Sequence, residues 1–144
     1  MKVKKIDHTG INVTDLIAAK EFFLEMGFEV IGEQSVEGQW VDSIIGLKGV
    51  KDDIIMMRTP EGEANLELIR FHNPLDEKGI QLSQSNTLGI RHICFLVENV
   101  EALVTKLEKK GGKLMGEIYN YKEVHKVCYI RGPEGIILEL AEKL

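Results

Sequence analysis

The amino-acid sequence repeats itself, and this repeat constrains the possible folds more than any other feature. The segment IDHTGINV, which begins at Ile6, matches IRHICFLV, which begins at Ile90, with a histidine at the third position of each. A second match closes each copy, because the run RTPEG shortly before Leu66 corresponds to RGPEG shortly before Leu138. Two matches in the same order favour duplication of one module of about seventy residues.

The hydrophobic pattern predicts the order β-α-β-β-β in each copy. The apolar runs at residues 6–13 and 90–97 are rich in β-branched residues and bounded by polar turn formers, which is typical of strands. Three further strands are predicted in each copy, at residues 28–36, 52–58 and 64–71 and at residues 113–119, 125–131 and 135–141.

One helix is predicted after the first strand of each copy. Thr14 or Asp15 can cap a helix over roughly residues 15–26, and Gly27 ends it. Asn99 and Gly111 bound the helix of the second copy in the same way. We therefore predict a first module at residues 1–72, a polar, turn-rich linker at residues 73–87 and a second module at residues 88–144, which together form one domain.

Charge and hydropathy narrow the possible partners. The net charge is −5 and the cationic residues are scattered, so no basic face is predicted for nucleic acid. No apolar run approaches the roughly 18 to 20 residues that span a bilayer.

The amino terminus reaches Asp7 and His8 before any apolar stretch, unlike a signal peptide. Cys94 and Cys128 lie in apolar strands, as reduced core thiols do, so a cytoplasmic protein is expected.

Two residue types recur at matched positions of the repeat. His8 and His92 lie in the first strand of each copy, and Glu67 and Glu139 lie in the last strand. Strand side chains alternate between faces, so each glutamate points away from the leucines on either side of it. Any one of these residues is ordinary alone, but the symmetry of the set favours a shared site.

Pairing of the two modules is expected to bring these four side chains onto one concave sheet surface. Two imidazoles and two carboxylates supply four ligands of an octahedral divalent ion and leave positions open for water or substrate. The predicted fold class is therefore α+β, with two tandem βαβββ modules that form a curved mixed sheet around a metal cavity. Zn, Ni, Co, Mn and Fe all suit this ligand set.

Four segments carry a resemblance to a known group of proteins. IDHTGINVTDL, NLELIRFHNPL, GIRHICFLVENV and IRGPEGIILEL resemble the vicinal-oxygen-chelate superfamily, which includes glyoxalase I, methylmalonyl-CoA epimerase, extradiol dioxygenases and bleomycin-binding proteins. By position, the superfamily's metal ligands fall on His8, Glu67, His92 and Glu139. The resemblance implies a small-molecule substrate that chelates the ion through neighbouring oxygens, and a homodimer.

Within the superfamily the chain resembles glyoxalase I and methylmalonyl-CoA epimerase. Both imply a metal-dependent lyase or isomerase that transfers a proton next to a carbonyl, with Glu139 or Glu67 as the base. Glyoxalase I typically holds glutathione with an arginine and an asparagine at the positions of Asn12 and Phe71 here. The segment IRGPEG also departs from the His-Pro-Lys-Asp type sequence common in the epimerase. The resemblance therefore leaves the substrate open.

Two alternatives stay open. A bleomycin-resistance-like protein binds a small molecule or drug without using a metal-ligand set. An extradiol-type dioxygenase needs two histidines and one carboxylate on Fe(II), so Glu67 would be a surplus ligand. Several other side chains are candidates for the pocket, as packing or surface residues or as auxiliary groups: Cys94, Tyr129, Arg131, His72, His125 and Trp40, the last as a lid or packing anchor.

Overall fold

The computed structural model describes all residues, Met1–Leu144. The chain divides into two compact units, Met1–Glu77 and Lys78–Leu144, and each unit holds one copy of the repeat.

The first unit is a four-stranded mixed sheet with two helices. Its strands lie in the order β1-β4-β3-β2. Strand β1 runs parallel to β4, and the other neighbours are antiparallel. The elements are β1 (His8–Asn12), α1 (Leu16–Glu25), β2 (Glu29–Glu37), α2 (Gln39–Ile45), β3 (Lys51–Arg58) and β4 (Asn65–Asn73).

The second unit repeats this plan with a five-stranded sheet. The order is β5-β9-β8-β6, β7 also pairs with β8, and β5 runs parallel to β9. The elements are β5 (His92–Leu96), α3 (Val100–Glu108), β6 (Lys113–Leu114), β7 (Tyr119–Tyr121), β8 (His125–Arg131), a 3₁₀ turn (Pro133–Gly135) and β9 (Ile137–Lys143). The predicted α+β class with two tandem βαβββ modules is confirmed.

The two main helices, α1 and α3, begin and end in the same way. The Asp15 carboxylate accepts a hydrogen bond from the Ala18 amide at 2.9 Å, and the Asn99 side chain accepts one from the Ala102 amide at 2.7 Å. Both are N-caps that satisfy a helix amide lacking a partner within the helix. Gly27 and Gly111, with φ of 91° and 87°, follow the helix ends in the left-handed region.

The core of each unit lies between its main helix and the last strand. Leu66 and Leu68 of β4 and Leu138 and Leu140 of β9 are fully buried. Helix α1 packs on β4, and α3 packs on β8 and β9. The residues between these leucines therefore face the other side of each sheet.

Two local features differ from the prediction. Helix α2 falls in the insertion around Trp40, for which no helix is predicted, and Val41 packs there with Val36 and Val50. Trp40 itself is 60% exposed, so Val41 is the packing anchor. The strand predicted at residues 113–119 is two short strands, β6 and β7, separated by residues 115–118. The Met115 amide still donates to the Tyr129 carbonyl of β8, and regular pairing with β8 resumes at Tyr119.

None of the helices has both the length and the apolar character that crossing a bilayer would require.

Candidate metal centre

The first unit brings His8 and Glu67 together. Strand β1 pairs with β4 in a register that places Gly10 beside Glu67, so His8 lies on the same face, one alternation away. His8 Nε2 lies 3.0 Å from Glu67 Oε2. The histidine side chain is 42% exposed and the glutamate 20%, so the pair lies on the open face of the sheet with its carboxylate largely sheltered.

Asp7 makes a second carboxylate contact with His8. Its Oδ2 lies 2.8 Å from His8 Nδ1, so the imidazole stands between two carboxylates. The hydrogen bond to Asp7, together with the charge of Glu67, raises the pKa of His8 above its ordinary value. The same hydrogen bond lowers the pKa of the exposed Asp7 carboxyl.

The second unit brings His92 and Glu139 together in the same way. His92 Nε2 lies 3.1 Å from Glu139 Oε2, and these side chains are 37% and 22% exposed. The Nδ1 atom of His92 faces a phenol, because the Tyr129 hydroxyl lies 3.5 Å from it and the two rings are 5.0 Å apart between centroids. This contact is at the outer limit of a hydrogen bond.

The neighbours of the two glutamates differ. Glu67 lies between Gly10 and Met56 in the strand register. Glu139 lies between Cys94 and Tyr129, as expected if Cys94 shares the face of His92. Cys94 is exposed and is not the core thiol that the sequence predicts, whereas Cys128 is buried. Partial desolvation and the nearby Glu139 charge raise the pKa of both Cys94 and Tyr129, so both side chains hold their protons at neutral pH.

The chemistry of these donors fits a divalent metal ion. Each pair offers one imidazole nitrogen and one carboxylate oxygen, 3.0 or 3.1 Å apart. Two ligand atoms that bind one ion at about 2.0 to 2.2 Å and at right angles lie roughly 3 Å apart. No cluster of three or more histidine, cysteine, aspartate or glutamate side chains has metal-binding geometry, so the structure shows two separate His–Glu pairs. Sharing of one ion by all four residues stays a prediction.

Arg131 is already engaged by the backbone. Its guanidinium donates to the Gly135 carbonyl at 3.1 Å and to the Ser83 carbonyl at 2.7 Å. This side chain therefore ties the start of the second unit to the turn before β9.

The other histidines lie away from the two pairs. His72 Nε2 lies 2.7 Å from Asp53 Oδ2. Asp53 faces the opposite side of the sheet from Glu67, because it pairs with Arg70 three residues along β4. His125 shares the face of Tyr129 but lies four residues earlier in β8, a distance of about 13 Å. The structure brings neither histidine to a His–Glu pair.

The two positions that depart from glyoxalase I have distinct surroundings. Phe71 packs against the apolar cluster formed by Val36, Val41 and Val50 under helix α2. A side chain that closes an apolar cluster offers no polar contact to a peptide-like substrate. Asn12 lies at the end of β1, opposite Ile69.

The second unit also has a cleft next to Tyr129. It is shallow and largely open to solvent, has a volume of about 450 Å³, and is lined by residues that include Met115, Tyr119 and Val127. Glu117 is the one formally charged residue that lines it. The cleft therefore suits an uncharged, partly apolar group.

The contact between Asp7 and His8 is not predicted by comparing the two copies of the repeat. The repeat identifies residues shared by both copies, and the residue that corresponds to Asp7 in the second copy is Arg91. The only sequence feature that could predict this contact is the position of Asp7 directly before His8. A carboxylate at that position is able to reach the Nδ1 atom of the histidine.

Comparison with known proteins agrees with the fold. Residues 5–140 match the Glyoxalase/Bleomycin resistance protein/Dioxygenase superfamily. A glyoxalase family protein of known structure from Bacillus cereus is 38% identical, with a TM-score of 0.95 over 100% of this chain and 97% of that one. The uncharacterized protein YwbC of Bacillus subtilis is 29% identical over 97% of this chain and 98% of its own. Lactoylglutathione lyase of Schizosaccharomyces pombe is 26% identical over 99% of this chain and 49% of the yeast protein. This protein belongs to the Glyoxalase/Bleomycin resistance protein/Dioxygenase superfamily.

Proposed function

We propose that this protein is a metal-dependent lyase or isomerase that transfers a proton on the carbon next to a carbonyl of a small molecule. The observation that carries the proposal is the pair of His–Glu contacts at equivalent strand positions, 3.0 Å in the first unit and 3.1 Å in the second. The similarity to a lactoylglutathione lyase supports the same reaction class.

The proposed ligands are His8, Glu67, His92 and Glu139. A divalent ion in this site supplies a Lewis acid that polarises the substrate carbonyl and makes the neighbouring C–H more acidic. Histidine and carboxylate ligands suit Zn, Ni, Co, Mn and Fe alike. Two carboxylates also offset the two positive charges of such an ion.

Either glutamate is placed to carry the proton. Glu67 and Glu139 are each largely sheltered, and each keeps one oxygen within hydrogen-bond distance of an imidazole. A positioned carboxylate of this kind accepts the proton from carbon and returns it to the neighbouring atom, a step typically worth about 10² to 10⁴ in rate. The strand neighbours of Glu139, Cys94 and Tyr129, each carry a proton, whereas those of Glu67, Gly10 and Met56, have no ionisable side chain.

The substrate is proposed to be a small molecule other than a glutathione adduct. Phe71 stands in an apolar cluster where a polar contact to glutathione is expected in glyoxalase I. The cleft beside Tyr129 has no cationic lining to pair with peptide carboxylates or phosphates.

Metal analysis is the first test of this proposal. Purified wild-type protein is expected to bind one divalent ion per site, and His92→Ala to lose most of it, because one of four ligands is removed. His72→Ala is the matched control, since His72 pairs with Asp53 on the other face of its sheet. A wild-type protein without bound metal, or a His92→Ala variant that binds metal equally well, contradicts the four-ligand site.

Turnover is the second test. Incubation with small α-hydroxycarbonyl compounds in deuterated water is expected to show deuterium at the carbon next to the carbonyl. The hemithioacetal of glutathione and methylmalonyl-CoA are the comparison substrates and are expected to react less. Glu139→Gln and Glu67→Gln are expected to differ, because only the residue that carries the proton loses about 10² to 10⁴ in kcat when metal content is equal. Equal and small effects of both substitutions contradict the proton-transfer role.

A binding function is the second candidate, and the cleft next to Tyr119 and Tyr129 favours it. Stacking on tyrosine rings suits a flat, uncharged ligand such as a drug-like aromatic molecule. Binding of such a compound without any turnover, unchanged in Glu139→Gln and Glu67→Gln, identifies this function in place of the enzymatic one.

A further inference from the structure

Asp7 makes a contact that has no equivalent in the second unit. Its carboxylate lies 2.8 Å from His8 Nδ1, while His92 Nδ1 has only the Tyr129 hydroxyl at 3.5 Å. The backbone holds Asp7 in place as well, because its carbonyl accepts a hydrogen bond from the Asn65 amide at 3.0 Å. The two His–Glu pairs are therefore unequal in what supports their histidines.

A carboxylate in this position determines where the imidazole carries its proton. An ionised aspartate only accepts hydrogen bonds, so the Asp7 contact favours a proton on Nδ1 of His8. A neutral His8 then has its lone pair on Nε2, which faces Glu67 Oε2 at 3.0 Å. Two acceptors at this separation repel each other unless a proton or a metal ion lies between them. Nε2 is therefore the atom available for a metal.

We propose that Asp7 is a positioning residue that fixes the tautomer and ring orientation of His8 for metal binding through Nε2. This inference rests on the proposed metal site. Partners that orient a ligand histidine typically contribute about 10- to 100-fold to metal affinity. The Nδ1 atom of His92 has no carboxylate beside it, so the first unit holds the more strongly oriented histidine of the two.

Zinc titration of the full chain tests this role. In competition with a chelator, Asp7→Ala is expected to bind Zn²⁺ about 10- to 100-fold more weakly than the wild type. Asp7→Asn is expected to lose less, because an amide oxygen still accepts the Nδ1 proton. Glu63→Ala, which removes an exposed carboxylate from the turn before β4, is the control and is expected to bind like the wild type. Equal losses in Asp7→Ala and Asp7→Asn would identify a charge effect and overturn the positioning role.

The tautomer of His8 is the readout that does not require metal. Long-range ¹H–¹⁵N spectra of histidine-labelled, metal-free protein at alkaline pH are expected to show His8 protonated on Nδ1 in the wild type and on Nε2 in Asp7→Ala. The His92 signals serve as the folding control and are expected to stay unchanged. A wild-type His8 protonated on Nε2, or an Asp7→Ala spectrum identical to the wild type, overturns the proposal.

The two proposals fail in distinguishable ways. If the wild type binds no metal but His8 is protonated on Nδ1, the proposed function and the effect of Asp7 on metal affinity are both wrong. The contact by which Asp7 orients His8 is then still supported. If the wild type binds metal and Asp7→Ala binds it equally well, only the role of Asp7 is contradicted.

Discussion

At the scale of single residues, strand alternation separates the buried and reactive side chains of the two last strands. Leu66 and Leu68 are buried against α1, and Glu67 between them faces the open side, where it meets His8. An apolar residue at position 67 would retain the core but remove the carboxylate. The fold and the site therefore use different residues of the same strand.

Asp52 is a buried carboxylate without a partner. It is 4% exposed, and its Oδ1 has no hydrogen bond. Burial, and then the charge of Asp53, raises its pKa. Because the folded pKa lies above the unfolded one, stability falls as pH rises from the unfolded value through the folded one. We predict that Asp52→Asn has a higher thermal midpoint than the wild type at pH 7, and that the gain shrinks below pH 4.

Asp53 is the matched control for this prediction, with the opposite sign. Hydrogen bonds from Ser35 and His72 lower its pKa, so its contribution to stability is present above the unfolded pKa and is lost as pH falls through the folded pKa. Asp53→Asn is expected to lower the midpoint at pH 7 and to match the wild type more closely in acid. Thermal unfolding followed by circular dichroism at both pH values measures both effects. A destabilised Asp52→Asn at pH 7 contradicts this account of the buried carboxyl.

At the scale of elements, the main helix of each unit has the same kind of N-cap. The Asp15 and Asn99 side chains accept hydrogen bonds from the third amide of their helices, Ala18 and Ala102. We predict that Asp15→Ala and Asn99→Ala each lower the free energy of unfolding by about 1 kcal/mol, since each leaves a helix amide without a partner. Urea denaturation measures the change.

Exchange of the two caps is the control for this prediction. Asp15→Asn and Asn99→Asp keep an oxygen at the cap, so each is expected to stay within about 0.5 kcal/mol of the wild type. A loss as large as that of the alanine variants would show that charge, and not the cap hydrogen bond, stabilises the helix end.

The element predictions differ in how far local sequence determines them. The helix pattern ends at Gly27 and Gly111 because a left-handed residue is needed there, and both are present in the structure. Helix α2 has seven residues and one buried side chain, Val41, so it has no apolar stripe that would reveal it. Its position depends on packing against Val36 and Val50, which local sequence does not specify.

At the scale of the whole molecule, the segment between the repeats leaves apolar side chains in water. Leu75, Leu82, Leu88 and Ile90 are all exposed in the single chain. Apolar side chains that gather in one exposed segment are typical of an interaction surface. We predict that the protein is a homodimer, with a mass by light scattering of twice that of the 144-residue chain.

Polar substitution tests this segment. Leu88→Ser with Ile90→Ser is expected to weaken the dimer at least tenfold without lowering the thermal midpoint of the dissociated chain, because neither side chain is buried in it. Glu63→Ala serves as the surface control. A wild-type protein that stays monomeric at micromolar concentration contradicts the prediction.

The sequence by itself determined the duplication, the order of the strands and main helices, and the faces of Glu67 and Glu139. Each of these follows from a local pattern, either a period of two or a match between copies. Only the tertiary structure decided which nitrogen of His8 meets Glu67 and that Asp7 occupies the other one, because those contacts depend on the register of β1 against β4. It also decided that Arg131 is engaged by backbone carbonyls and that His72 belongs to Asp53, since both depend on chain segments that meet only in the fold.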